Sequence, residues 1–458
     1  MSDDVRFPAE QQARILIDAQ LAAAGWLVQD GKELNLLAGD GTAVRQAAMA
    51  PGHGRTDYLL YVDEQVVGVI EANPVGTPLS GLEWKSAKCA TGLRENRRKH
   101  AVLVDDRLPC VFESSGSETH FANGFDPYTR ARKIFSSPKP STLARVVREA
   151  EADPECPTWR AKVRALPPLD QAPLRPAHLQ AVRRTEASLA KQRFDRSLIQ
   201  MATGAGTTNT AVARAYRMLK NSGCSSILFL VDRNNLVDQT LAEFQNCTAP
   251  DHARRLSEVY AVDKLTGAGI PASPNVVIST IQRVFKVRNG NEVPGPDYPQ
   301  LDGHVPDTTV TVTYVPGMPP ETFDLVIVDD AHRTVYGVWR GVLEYFDTHV
   351  VGLTATPGKQ KFTLFRQNLV SSDTYTESVS DGVNADFDIY RVKTDISKSA
   401  GLAWLPDESL EEPNDLPAPE FIAREIVEDL AAALEEFAAV ASAHERLSES
   451  DRPELSEL

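Results

Sequence analysis

Nine consecutive residues, Gln200-Met201-Ala202-Thr203-Gly204-Ala205-Gly206-Thr207-Thr208, have the types and order to hold a phosphate. A short apolar run, Ser197-Leu198-Ile199, precedes them, and an Ala-rich stretch with helical spacing, Ala211 to Tyr216, follows. A strand, a glycine-rich turn and a helix in that order present backbone N–H groups and a positive helix end to an anion. Thr203, Gly204, Ala205 and Gly206 would form the cradle, and Thr208 stands where a Mg²⁺-binding hydroxyl belongs. The charge is missing. The lysine that precedes that hydroxyl in such loops and reaches the terminal phosphates is here Thr207.

A second constellation is acidic. Arg55 to Val62 and Val66 to Ala72 are β-rich runs joined by Asp63-Glu64-Gln65, the pattern of a hairpin. It brings Asp57 and Glu71 near each other on paired strands, where two carboxylates can share a Mg²⁺ ion that clamps a phosphate and activates water.

The elements that must position these groups follow from periodicity. Pro8 to Ala24 has amphipathic helical spacing, with Ile15, Leu16, Ala19 and Leu21 on one side and Gly25 as its stop. Ala101 to Val104 and Val111 to Glu113 read as short strands, and Pro154, Pro157, Pro167, Pro168, Pro173 and Pro176 then mark a hinge. Beyond it, the apolar runs 226–231, 275–280, 323–328 and 349–354 alternate with helical stretches, which predicts a parallel, doubly wound sheet. Residues 286–320 are rich in Pro and Gly and read as a surface excursion with one strand at 309–314.

At 42% apolar and 24% charged, the chain has an ordinary globular composition with length for two or three cores. No apolar run approaches the length of a membrane span, and Met1-Ser2-Asp3-Asp4 is acidic rather than a basic leader, so a cytoplasmic protein without membrane contact is expected. The five cysteines share no metal-type spacing and read as reduced thiols. Residues 405–458 hold 16 Asp/Glu against three Arg and account for most of the formal net charge of −15. The body is therefore close to neutral, with basic clusters at 94–100 and at Arg130, Arg132, Lys133 and Lys139 that are compatible with phosphate contacts.

The hairpin resembles the N-terminal nuclease domain of the R (motor and endonuclease, HsdR-like) subunit of type I restriction enzymes. The stretches Gly54 to Val62, Val69 to Ala72 and Gly76 to Gly81 carry the likeness. The resemblance implies a PD-(D/E)XK fold with metal carboxylates at Asp57 and Glu71, and Glu10 as a weaker acidic contributor. Where the motif has a catalytic lysine this chain has Asn73, which carries no charge to offer a developing phosphorane. A DNA-contacting Gln-x-x-x-Tyr helix is replaced by Lys85 to Cys89, leaving Lys85 as a candidate contact.

The likeness continues beyond the hinge. Leu174 to Val182 resembles the adenine-reading element of superfamily 2 helicases, with Gln180 on the base edge. Asp329-Asp330-Ala331-His332 resembles a DEAH box, which implies that Asp329 holds the Mg²⁺ of ATP, that Asp330 stands in for the Glu that polarises water, and that His332 joins the site. Thr354-Ala355-Thr356-Pro357 matches the motif that couples hydrolysis to DNA, while Arg233, Thr280 and Gln282 fall where the family touches a DNA strand. After 384–392 no second RecA-like domain is expected. An acidic linker and an amphipathic helix from Glu420 to about Leu447 resemble the family's extreme C-terminus, which joins the methyltransferase core.

The sequence thus predicts an α/β chain in three parts. These are a restriction-endonuclease-like domain at 1–165, a RecA-like helicase ATP-binding domain at 166–396, and an acidic linker with a C-terminal helix at 397–458. The implied cofactors are ATP and Mg²⁺; the implied partners are double-stranded DNA and the methyltransferase and specificity subunits. The expected character is a truncated, catalytically impaired R-subunit-like protein. The rival expectations are a slow ATP-dependent endodeoxyribonuclease completed in trans, and a non-enzymatic decoy docked on the methyltransferase core.

Overall fold

The computed structural model describes residues 8–32, 34–79, 88–169, 174–192, 195–248, 254–267, 269–271, 274–288, 312–331, 338–355, 364–365 and 368–384, and two seven-stranded sheets carry them. All of these residues fall in one compact unit, Met1–Asp297 with Val305–Asp386; the other unit, Tyr298–His304 with Phe387–Leu458, lies outside the described residues. The predicted helix at 420–447, and all of 397–458, therefore lie outside them too.

The first sheet follows helix α1 (Ala9–Ala23) and takes its strands in chain order. They are β1 (Leu27–Asp30), β2 (Gly41–Ala48), β3 (Arg55–Val62), β4 (Gln65–Ala72), β5 (Cys110–Ser114), β6 (Thr119–Asn123) and β7 (Arg132–Ile134). The pairs β1/β2 and β4/β5 are parallel and the rest antiparallel. The hairpin turn is the two residues Asp63 and Glu64, both with left-handed φ (47° and 62°), the turn geometry that matches strand twist. Alternation along β3 feeds two cores. Tyr58, Leu60 and Val62 join Ile17 and Leu21 of α1 and Leu143 and Val147 of α2 (Pro140–Ala152), while Leu59 and Tyr61 join Val66, Val69, Cys89 and Leu93 on the opposite face.

Two local expectations are corrected here. The buried stripe of α1 is Ala13, Ile17 and Leu21, whose fourfold spacing keeps one line against the sheet, so Ile15 and Leu16 are solvent-exposed. Ala101 and Val104 form isolated bridges, to Val66 and to Arg107, rather than a strand.

The prolines of 154–176 do not make a free hinge. Helix α3 (Trp159–Arg164) lies among them, Val163 enters the second core, and the Pro167 carbonyl accepts from Arg217 Nη2 at 3.0 Å. Then come α4 (Pro176–Ala187), β8 (Arg196–Met201), α5 (Thr207–Asn221), β9 (Ile227–Val231), α6 (Asn234–Asn246), β10 (Val262–Lys264) and β11 (Val276–Thr280). The remainder is α7 (Ile281–Arg288), β12 (Leu325–Val328), α8 (Val338–Tyr345), β13 (His349–Thr354), β14 (Leu369–Asp373) and α9 (Tyr375–Ser380).

The second sheet has the order β10-β11-β9-β12-β13-β8-β14 with every pair parallel. The inner strands are the predicted apolar runs, and β9, β11, β12 and β13 are buried at every position. With helices in the crossovers, this is a doubly wound parallel α/β arrangement. The edge strands β10 and β14 were not expected, and Tyr314 with its two predecessors is irregular rather than strand; residues 309–311 lie outside the described set.

The two sheets meet through a half-buried ion pair. Arg132 on β7 donates to both carboxylate oxygens of Asp347, just before β13, at 2.8 and 2.9 Å, and its guanidinium lies over the Phe121 ring. Glu321 accepts from Lys139 N–H and the Thr142 hydroxyl, and Phe135 stacks at a tilt on Tyr345. Basic residues that could have faced phosphate are thus used internally. Arg94 and Arg97 donate to the carbonyls of Met49 and Ala48, Arg98 pairs with Asp106, and Lys139 Nζ caps the Pro316 carbonyl.

Candidate functional site

The carboxyl ends of the parallel strands bring the informative residues of the second sheet to one edge. After β8 the chain turns through Gly204 (φ 78°) and Gly206 (φ 93°), both left-handed, and Ala205 N–H closes the turn on the Ala202 carbonyl at 3.0 Å. A residue with a Cβ is disfavoured at such φ, so the glycines are what let the loop curl back to the start of α5. Thr203 and Gly204 are exposed, Ala205 is buried, and Thr207 and Thr208, the first residues of α5, are half-buried.

Two side chains hold the loop from outside. His178 on α4 is buried with Nε2 2.6 Å from the Ala205 carbonyl; since a carbonyl only accepts, Nε2 carries the proton. Asn384 Nδ2 donates to the Thr203 carbonyl at 3.1 Å. Gly206 leaves room for the imidazole, because a Cβ there would sit 2.8 Å from His178 Nε2.

His178 was not singled out from sequence. Gln180 was, as a contact for a base edge rather than for the loop. Two residues along a helix lie on nearly opposite sides, so His178 faces the loop while Gln180 is exposed and lines an open groove of about 670 Å³ with Arg183, Arg184, Asp373 and Glu377. The signal was available: His178, Ala181, Val182 and Thr185 form the buried stripe of α4.

Asp329 follows β12 and is separated from the glycine loop by the width of β13, two strand spacings or about 10 Å. Its carboxylate accepts the Asp330 N–H at 3.1 Å. Burial, then the charge of Asp330, then Glu243 and Asp232, push its pKa up to about 6; the Asp330 N–H offsets this in part. A half-buried carboxylate among three other acids gains most from a cation. Asp330 itself has a left-handed backbone, φ 46°.

The neighbouring strand ends carry the remaining candidates. Arg233 precedes the first residue of α6, is half-exposed and pairs with Asp232 at 3.5 Å. Thr280 is buried and its hydroxyl accepts Arg283 N–H at 3.3 Å, which makes it a cap for α7; Gln282 is partly exposed and Thr354 buried. Lys85, His332 and Thr356 lie outside the described residues.

In the first sheet, Asp57 and Glu71 stand at the end of the β3/β4 ladder, just past the pair Tyr58↔Ile70. Asp57 is engaged by Arg14, Gln46 and the Ala72 N–H, and Glu71 Oε1 by the Thr56 hydroxyl at 2.7 Å. Glu71 lies in register with Glu113 of β5, both buried; Asn73 is buried too, its N–H on the Ser114 carbonyl. Glu10 is exposed on α1. Among the described residues no group of three His, Cys, Asp or Glu side chains could hold a metal, all five cysteines are free thiols, and no helix is long and apolar enough to cross a membrane.

The profile of the family "Type III restriction enzyme, res subunit" matches residues 171–359, the stretch that holds the glycine loop and the acidic pair. Over 440 residues the chain is 26% identical to the type I restriction enzyme EcoKI endonuclease subunit of Escherichia coli (strain K12), covering 83% of this chain and 35% of that protein. It is 27% identical over 350 residues to the EcoAI endonuclease subunit of Escherichia coli, covering 72% and 38%. The chain thus spans little more than a third of the length of these relatives. A solved fragment described as an HsdR subunit of a type I restriction enzyme from Vibrio vulnificus YJ016 matches at 19% identity and a TM-score of 0.31, over 83% of this chain and 62% of that one.

Proposed function

We propose that this chain, an HsdR-like protein by sequence, is a nucleotide- and DNA-binding component of a restriction–modification system with a weakened motor site. The observation that carries the reading is the shared edge: the glycine loop after β8 and the Asp329 carboxylate after β12 open to the same side of one parallel sheet. The ligand is ATP with Mg²⁺, which when bound supplies a phosphoryl group for transfer to water. Loop N–H groups and the start of α5 would receive the phosphates, and Thr208 with Asp329 would hold the ion. Asp329 suits an ion there, because it is a half-buried carboxylate crowded by Asp330, Glu243 and Asp232.

Two residues weaken turnover more than binding. Thr207 brings no charge to the terminal phosphate, and the loss of one charge-stabilising donor costs about 10²–10³ in rate. Asp330 carries its carboxylate one methylene closer to the backbone than a glutamate would, which misplaces a water-orienting group by about 1 Å. Arg233 and Gln282 on the same edge are the proposed DNA contacts, and the methyltransferase and specificity subunits of a type I complex the proposed protein partners.

Calorimetric titration of the native chain and of Thr207→Lys with Mg²⁺·ATP tests the reading. Weak binding by the native chain and clearly tighter binding by the variant support it. Silence from both sinks it.

A further inference from the structure

The carboxylate of Asp57 is already coordinated, and by a cation. Its Oδ2 accepts the Ala72 N–H at 3.0 Å where the ladder of β3 and β4 ends. Its Oδ1 receives Arg14 Nε at 3.0 Å and Gln46 Nε2 at 2.8 Å, with Arg14 Nη2 at 2.9 Å completing an ion pair. These contacts take both lone pairs of Oδ1 and one of Oδ2, so the carboxylate already carries a full cationic partner and two further donors. The Asp57 side chain is only 11% exposed, so a second cation has little room beside the first.

The arrangement is built rather than incidental. Arg14 lies on α1 between the buried Ala13 and Ile17, and its own carbonyl accepts the Tyr58 hydroxyl at 3.2 Å, so both ends of the residue are fixed to β3. The same hydroxyl lies 2.8 Å from Asp18, which pairs in turn with Arg45. Gln46 reaches Asp57 from a left-handed backbone, φ 47°, between the pairs Arg45↔Tyr58 and Ala47↔Thr56, whose unchanged register sets it opposite Asp57. A non-glycine residue in that region is strained, and here the strain aims a second donor at the carboxylate. Glu71, the other candidate ligand, takes the Thr56 hydroxyl on Oε1.

We infer that Arg14 is the resident cation of this site: its guanidinium fills the place of a divalent ion, so the Asp57/Glu71 pair takes no metal until that side chain is removed. Mg²⁺ needs near-octahedral oxygen ligands at about 2.0–2.1 Å, and a dication beside a guanidinium is repelled. The chemical class of the latent ligand is a hard divalent cation. The inference is independent of the nucleotide site.

The test is Mn²⁺ binding, followed by the loss of the free-ion electron paramagnetic resonance signal. The full chain carries Asp329→Asn throughout, so that the acidic edge of the second sheet does not contribute. With Arg14 present, Asp57→Asn leaves Mn²⁺ binding unchanged. Replacing Arg14 by Ala, or by Met to keep its apolar stem, adds a site at least about tenfold tighter than any in the parent, and Asp57→Asn abolishes it. Thermal melts identify an unfolded variant, and the Met substitution serves if the Ala one fails. Asp57-dependent Mn²⁺ binding with Arg14 in place overturns the inference, as does a folded Arg14 variant that gains no site.

Discussion

Replacing Asp329 by Asn should stabilise the ligand-free protein, although it removes a residue placed in the candidate site. In the fold this carboxylate has its pKa pushed from 3.8 to about 6 by burial and by its acidic neighbours. The folded chain therefore binds more protons than the unfolded one between these values, and stability falls as pH rises through that window. Below pH 3.8 the group is protonated in both states and costs nothing; above pH 6 the full penalty is present. The difference corresponds to about 3 kcal/mol at 1.36 kcal/mol per pKa unit, and about 2 kcal/mol if the neighbouring acids relax. Asn keeps the acceptor for the Asp330 N–H, so the gain is not offset by an orphaned donor. Urea unfolding at pH 7.5 should place the variant's midpoint above the native one, and the two should converge at pH 4. Added Mg²⁺ should raise the native midpoint and leave the variant's in place. Equal midpoints at pH 7.5, or a difference independent of pH, would refute the claim that Asp329 is held charged against its surroundings.

Other substitutions probe the loop and the junction of the sheets. Arg132→Ala leaves the half-buried Asp347 without its bidentate partner and should cost about 3–5 kcal/mol by denaturant midpoint, most of it recovered in Arg132→Met with Asp347→Leu. Gly206→Ala demands a left-handed alanine with its Cβ against His178, so the melting temperature should drop by an amount equivalent to more than about 1 kcal/mol. His178→Ala removes the donor to the Ala205 carbonyl and should weaken ATP binding about tenfold in calorimetry, with His178→Gln restoring part of it.

The second sheet was legible in the sequence because its inner strands are buried on both faces and so read as unbroken apolar runs. Its edge strands were not. Val262-Asp263-Lys264 and Leu369 to Asp373 mix buried with partly or fully exposed positions and owe their pairing to the neighbours they meet. The glycine loop and Asp329 were read from local order alone. What holds them was not, since the reach of His178 to Ala205 spans 27 residues and that of Asn384 to Thr203 spans 181. Charge was the least legible property. Arg94, Arg97 and Arg132 look like a phosphate-facing surface in sequence, yet each ends on a carbonyl or a half-buried carboxylate.

Two aspartates of similar weight in the sequence are told apart by where their lone pairs go. Asp57 stands just past the end of the β3/β4 ladder against a guanidinium, an amide and a backbone N–H, so the fold itself supplies the positive partner and the carboxylate gains little from a metal. Asp329 follows a strand among other carboxylates and, among the described residues, takes a backbone donor from Asp330, so its charge gains most from a cation arriving from solution. Both sit beside a neighbour that departs from the expected chemistry, Asn73 in one case and Asp330 in the other. The departures differ in consequence. A missing base beside a carboxylate open to a cation slows a reaction, whereas a carboxylate already paired to an arginine prevents the ion from binding at all. On the reading proposed above, the second sheet binds its ligand with weak turnover, and the first presents an acidic hairpin whose cation, Arg14, belongs to the chain.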